Sequence, residues 1–449
     1  MKRSPRRSRS PRGTAAPRWP RKGVAMRSES PADDGVPARG LRPGERPSIL
    51  PSFLLGVCLV SVAAAENNLP WAIRIDGEPL AAQWASIDER WEIVFQTASG
   101  PRTVNAAELV VWGKCSEADR GPWILLRDGG VAVGELRGLD REHLAAESRL
   151  FGAVRLPRAS VAGLVLRLPG DRDGRDRLVD WVLAGASSAR GGEASAEDRA
   201  RLVNGDELRG ALDRLADGRV SWRSGAEPLE LEFDRVLAVR LGGAPPRAAE
   251  PPGPKPLIAW TGWRDGSRLL VASLATDKNA MRATLPDGTA WTAAAGDLTF
   301  LQPLGGRAVY LSDLKPEGYR HVPFLNLAWP FRMDRNAAGG LLRAGGSLYP
   351  KGLGMHSASR LTYLLTEPYR RFQAEAAVDD RTEGGGSVGF RVFVDGQVRY
   401  ASPVVRGGQS PLPVSVDLSG ARRLDLVVDF AERADELDHA DWLNARLIR

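Results

Sequence analysis

Two cysteines, four histidines and seven lysines in 449 residues set the first limits. Cys58 and Cys115 are too few for a Cys₄ or Cys₂His₂ zinc site. Cys58 also lies inside a segment that reads as an export signal, so the processed chain would keep Cys115 alone and no intrachain disulfide could staple it. The chain must rely on buried apolar surface, and a hydrophobic content of 43% allows that. No H-E-x-x-H spacing occurs, nor any phosphate loop of P-loop or Rossmann spacing beyond the signal segment, which argues against nucleotide chemistry. The longest apolar run, Ile49 to Ala65, is shorter than the ~20 residues of a membrane-spanning helix and contains Pro51.

The net charge of +7 is unevenly placed. Residues 1–50 hold thirteen Lys/Arg against four Asp/Glu, so the remaining 399 residues come to about −2. A nucleic-acid footprint would need its basic patch in the folded part, and no nucleic-acid partner is expected. Residues 1–47 read as a disordered basic arm, long enough to suggest that the true start lies downstream, for instance at Met26. Residues 48–65 read as a signal h-region closing on Ala63, Ala64 and Ala65, an A-x-A cleavage site. Export to the periplasm, cell surface or medium follows, with membrane attachment only if the segment stays uncleaved.

One shape occurs four times, opening on "IDGEPLAAQW", "RDGGVAVGEL", "VNGDELRGAL" and "RDGSRLLVASL". From Gly77, Gly129, Gly205 and Gly266, a closing aliphatic strand begins 31 or 32 residues later, at Leu109, Val161, Val236 and Leu298. Short alternating strands between Asp/Asn-Gly turns, expected to be type I′, predict small Sm-like or SH3-like barrels that must pack on one another. Three such units fill 66–241, with an insertion near 168–200 that carries a helix around Leu178 to Leu183. A proline-rich linker, 242–256, precedes a fourth unit at 257–305. The bland reading of these repeats is scaffolding or a surface for an envelope protein partner.

From residue 306 the strands lengthen, as in "GFRVFVDGQVRY" with its Asp395-Gly396 turn, and predict an antiparallel sandwich. The closing stretch "DHADWLNARL" alternates, with Trp442, Asn444 and Arg446 against Leu443, Ala445 and Leu447. One face is therefore expected to be buried, with Asp438 and His439 at the strand's mouth.

The blocks "YPKGLGMHS", "VDDRTEGGGSVGFRVFVDGQ", "SPVVRGG", "VDLSGARRLDLVV" and "DHADWLNARL", in that order, resemble the NPCBM domain, the carbohydrate-binding module associated with glycoside hydrolase family 98. The resemblance covers Arg307 to Arg449, about a third of the chain. It implies an all-β protein ending in a galactose-binding-type jelly-roll that recognises a glycan or polysaccharide, galactose-containing for some members, without catalysis. It places motif positions at Gly352, Leu353, Gly354 and His356, at Asp379, Asp380 and Arg381, and at Asp438, His439, Asp441 and Trp442.

The expected sugar contacts are Trp329, His356, Asp380, Arg381, Asp438 and His439. Trp329 is the candidate flat platform for a sugar's C–H face, and Trp442 is read as core. No catalytic residue is assigned. Asp379 and Asp380, adjacent on an extended segment, would face opposite sides, and the G-x-S-x-G string around Ser387 leads into a strand rather than the helix a nucleophile elbow needs. No cofactor is required, although jelly-rolls of this type often hold a structural calcium. Two alternatives remain: a structural or adhesion element of the cell envelope, and a glycoside hydrolase with its carboxylates in the repeats.

Overall fold

The computed structural model describes residues 69–184, 197–225, 228–243 and 256–449. The basic arm, the signal segment with Cys58, the Gly/Ser/Ala stretch after the helix and most of the proline-rich linker lie outside the described residues. Within them no helix is long and apolar enough to cross a membrane.

The protein is all-β apart from the helix Arg172–Leu183 and a few 3₁₀ turns. Each of the four Asp/Asn-Gly stretches joins two antiparallel strands: Trp71–Arg74 to Pro79–Ala81, Trp123–Leu126 to Val131–Val133, Asp198–Leu202 to Glu207–Ala216, and Ile258–Trp263 to Arg268–Val271. The turns are not type I′. The amides of Gly77, Gly129, Gly205 and Gly266 each donate to the carbonyl three residues back. Only the glycine has positive φ, +83° to +94°, so each is a type I turn followed by a left-handed glycine. The side chain explains the choice: Asp76, Asn204, Asp128 and Asp265 each accept from the amide two residues on, at 2.7–3.2 Å. True two-residue turns with both residues left-handed occur at Asp217-Gly218 and Asp395-Gly396.

The closing strands begin at Leu109, Val161, Val236 and Leu298, each after a three-residue 3₁₀ turn. Each pairs back onto the first strand of its own stretch, giving four small barrel-like units. These units are then joined edge to edge. Strand Leu109–Gly113 pairs with Leu298–Leu304, Val161–Val165 with Val236–Arg240, and Val131 stands opposite Arg268. First unit thus pairs with fourth, and second with third, so the chain on the two sides of the proline-rich segment shares one sheet. Units this small cannot bury enough surface alone. The helix, longer than expected and capped by Asp171 accepting from the Gly174 amide at 2.6 Å, lays Leu178, Val179 and Val182 on the second-third junction.

The C-terminal part is an antiparallel sandwich. One sheet runs Arg332–Met333, Gly352–His356, His439–Ile448, Arg371–Val378, Leu412–Asp417. The other runs Gly318–His321, Ser359–Leu364, Arg423–Phe430, Ser387–Val394, Gln397–Ala401. Leu353, Met355, Phe372 and Trp442 meet Leu361, Tyr363, Phe390 and Leu426 between them.

The last strand departs from the expected alternation, because all ten residues of His439–Ile448 are buried. Asn444 is left-handed, with φ +49°, and the register slips there. Ala445, not Asn444, therefore follows Ala440 and Trp442 into the core. The opposite face is covered too. Asn444 accepts from Gln302 Nε2 at 2.7 Å, Tyr310 donates to the Val110 carbonyl, and the Leu348 amide donates to the Cys115 carbonyl at 2.9 Å. The sandwich is seated on the first and fourth units along this strand.

Candidate functional site

Three of the four histidines converge at one end of the sandwich. His356 and His439 stand directly opposite each other on paired strands, and His321 ends a strand of the other sheet. The indole of Trp329 lies flat on His356, centroids 4.6 Å apart and 4° from parallel, with His439 edge-on at 5.3 Å. The platform is fixed through its backbone. The Trp329 amide donates to His321 Nδ1 at 3.2 Å, and Tyr319 Oη donates to the Trp329 carbonyl at 2.8 Å. His321 Nε2 and His356 Nδ1 both donate to the Ser357 carbonyl at 3.0 Å, which sets the tautomer of each ring.

Trp329 is half-buried, and the seven residues 322–328, closed at their base by the His321 contact, expose Val322, Phe324, Leu325 (80%) and Leu327. Large apolar side chains displayed on a pinned loop beside an aromatic stack are the chemistry of a ligand rim. His439 Nδ1 is buried with no hydrogen-bond partner among the described residues.

The other expected contacts lie elsewhere. Asp438 is buried beneath the cluster, accepting from Ser357 Oγ at 2.5 Å and from the Ser387 amide at 3.0 Å. Asp380 accepts from the amides of Gly345 and Gly346 and ties down a hairpin. Arg381 pairs with Asp173 of the helix at 2.9 Å. Trp329, His356 and His439 thus stand together, Asp438 supports them through Ser357, and Asp380 and Arg381 stand apart from them. His321 was missed by motif reasoning. The available signal was composition, since a residue this scarce occurs three times within one domain.

Residues 307–448 match the NPCBM/NEW2 domain. The chain is similar to a Renibacterium salmoninarum protein named as an endo-alpha-N-acetylgalactosaminidase, 36% identical over 107 residues, 24% of this chain and 7% of that protein. It is also similar to alpha-1,3-galactosidase B of Akkermansia muciniphila, 33% identical over 117 residues, 25% of this chain and 15% of that protein. The chain therefore spans only a small part of either relative. Among solved structures, the CBM51 module from Clostridium perfringens GH95 in complex with methyl-galactose is 26% identical, covering 31% of this chain and 99% of that chain at a TM-score of 0.28.

Two acids of the NPCBM motifs, Asp379 and Asp441, are buried within the fold. Asp379 accepts from the amides of Arg343 and Arg381 and from Asn336 Nδ2, and Asp441 lies fully buried against it. Burial, and then the charge of the adjoining Asp379, hold Asp441 well above the ordinary carboxylate range. Neither is reachable by substrate. Ser387 exchanges hydrogen bonds with the Glu432 backbone at the start of its strand, so no nucleophile elbow forms. Among the described residues no three His, Cys, Asp or Glu side chains are placed to hold a metal ion. A cavity of about 830 Å³, with none of the clustered histidines in its wall, is lined by Glu117, Arg120, Glu135, Arg137, Glu147 and Arg149 among others, acids interleaved with arginines.

Two shifted groups give a pH prediction. Burial pulls His439 down to about 4 and pushes Asp438 up to about 6. For His439 the unfolded chain, titrating near 6.5, binds more protons, so stability is lost as pH falls from about 6.5 towards 4. For Asp438 the folded chain binds more protons, so stability is gained as pH falls from 6 to about 4. The two oppose each other and largely cancel. Asp438→Asn removes one arm, and its unfolding free energy from urea titration should drop between pH 6.5 and 4.5 more than wild type's, by on the order of 2–3 kcal/mol. Parallel pH profiles for the two proteins would refute the assignment.

Proposed function

We propose that this is an exported, noncatalytic glycan-binding protein whose ligand rests against Trp329 at the rim formed with His356 and His439. One observation carries the reading: a half-buried indole, fixed at its amide and its carbonyl, stands beside imidazoles and an exposed apolar loop. Sugar recognition combines these elements, an aromatic surface for C–H groups and a few convergent polar atoms for hydroxyls. Two relatives of this chain bear the names of enzymes acting on galactose-type sugars, which favours a galactose-containing ligand. Export is supported by the apolar run that ends at Ala65. The four barrel-like units then act as the body on which the binding domain is mounted.

The test is a glycan array probed with the full chain, followed by titration with the best sugar. Trp329→Ala should weaken binding roughly threefold to tenfold, the range for loss of one aromatic contact, with thermal stability little changed because the ring is half-exposed. Silence of the array toward every sugar would overturn the proposal and leave the envelope-scaffold reading. Undiminished affinity in Trp329→Ala would move the site elsewhere.

A further inference from the structure

The third unit carries a feature that the glycan reading does not use. In the strand Asp198–Leu202, Arg199 stands directly opposite Arg209 on one side and directly opposite Arg240 on the other. Directly paired residues share a face, so Arg209, Arg199 and Arg240 form a straight row across three strands, about 10 Å long at the usual strand spacing. Arg201, two residues along, joins the same face and faces Glu207. Trp181 of the helix leans onto the row's end, with the guanidinium groups of Arg201 and Arg240 at 4.6 and 4.9 Å from its ring.

Four guanidinium groups therefore share one carboxylate. Glu207 takes Arg199 Nη1 at 3.0 Å and Trp181 Nε1 at 3.3 Å, and reaches Arg201 only at 4.0 Å. Among the described residues no carboxylate pairs with Arg209 or Arg240. Burial and the charge of Arg199 both hold Arg240 below the usual guanidinium range. Like charges placed directly opposite across strands oppose folding, so the row is an arrangement that an anion would relieve. The groups remain accessible: the side chains of Arg199 and Arg201 are 26% and 34% exposed, and Arg209 is exposed.

We propose that this arginine row binds the sulfate esters of an acidic polysaccharide, at a site separate from the Trp329 rim. Guanidinium forks match tetrahedral oxyanions through paired N–H donors. A row, rather than a pocket, suits charges spaced along a chain. The rest of the molecule disfavours nucleic acid, since the chain beyond residue 50 carries about −2 and would repel a long polyphosphate outside the patch. Trp181, already covered by two guanidinium groups, also leaves no free stacking platform for a base.

The experiment titrates the full chain with low-molecular-weight dextran sulfate, uncharged dextran and a single-stranded DNA of matched charge, at two salt concentrations. Dextran sulfate should bind, more weakly at high salt, and uncharged dextran should not bind at this site. The double variant Arg209→Gln/Arg240→Gln should weaken dextran sulfate at least tenfold, while Trp329→Ala leaves it unchanged. Without ligand, the double variant should melt no lower than wild type at low salt, because repulsion has been removed. Retained dextran sulfate affinity in the double variant overturns the proposal, as does a lowered melting temperature with binding intact. DNA bound as tightly through the same arginines would overturn the choice of ligand.

Discussion

Arg343→Ala is expected to destabilise the protein by about 3–5 kcal/mol, the cost of leaving buried charges without their counter-ion. Arg343 is 5% exposed. It places Nη1 and Nη2 each 2.7 Å from the two oxygens of Asp176, and Nε and Nη2 at 3.1 and 2.8 Å from those of Glu117. Burial works against its charge, but hydrogen bonds to Asp176 and Glu117, reinforced by their charges, hold it above its ordinary value. It is the main ionic link from the NPCBM domain to the helix and the loop before the second unit. Removing it strands Asp176, itself 8% exposed, while Glu117 keeps only the longer contact to Arg175 at 3.7 Å. Most of the loss should come from that orphaned carboxylate rather than from the missing bonds. Arg343→Met/Asp176→Asn should therefore be clearly more stable than Arg343→Ala in urea unfolding. A double variant as unstable as the single one would show that the charge pair is not what matters.

Trp442→Ala should cost a similar 3–5 kcal/mol, and Trp442→Phe much less. The indole is fully buried, edge-on to Phe390 at 4.9 Å and near Phe372 at 6.0 Å, at the centre of the sandwich. Alanine would leave a cavity that two strands paired along their length cannot collapse to fill. Trp442 Nε1 has no hydrogen-bond partner among the described residues. Phenylalanine keeps most of the apolar contact and removes a donor that costs stability where it is, so its effect should stay within about 1.5 kcal/mol. Thermal melts of the two variants decide this: near-equal losses would mean that the N–H is satisfied and the packing argument incomplete. Because His439 lies three residues away on the same strand, Trp442→Ala should also weaken ligand binding, whereas Trp442→Phe should not.

The second effect arises where sequence reading succeeded in part; Arg343 carried no signal in the sequence. The core role of Trp442 was legible because it sits in an alternating apolar strand. The alternation after it was misread because a single left-handed residue, Asn444, shifts the phase and nothing in the local pattern marks that residue as a bulge. Asp438 was legible as lying at the strand's mouth, but not that its oxygens turn inward to Ser357 and the Ser387 amide. Asp380 and Arg381 were expected beside the histidines, and the structure places them apart. In the fold they point to a hairpin and to a helix more than 150 residues upstream in sequence.

By itself the sequence determined what depends on near neighbours. The period of two made the chain all-β, the Asp/Asn-Gly turns and the constant 31 or 32 residue interval located four closing strands, and five ordered blocks marked the C-terminal domain. Only the tertiary structure decided which strands meet across units, that the last strand is buried on both faces, that His321 joins His356 and His439, and that Arg209, Arg199 and Arg240 align. The reason is physical. Strand identity is a local property of side-chain alternation, whereas register and docking are chosen by packing between segments far apart in the chain, and a one-residue slip turns every side chain to the other face.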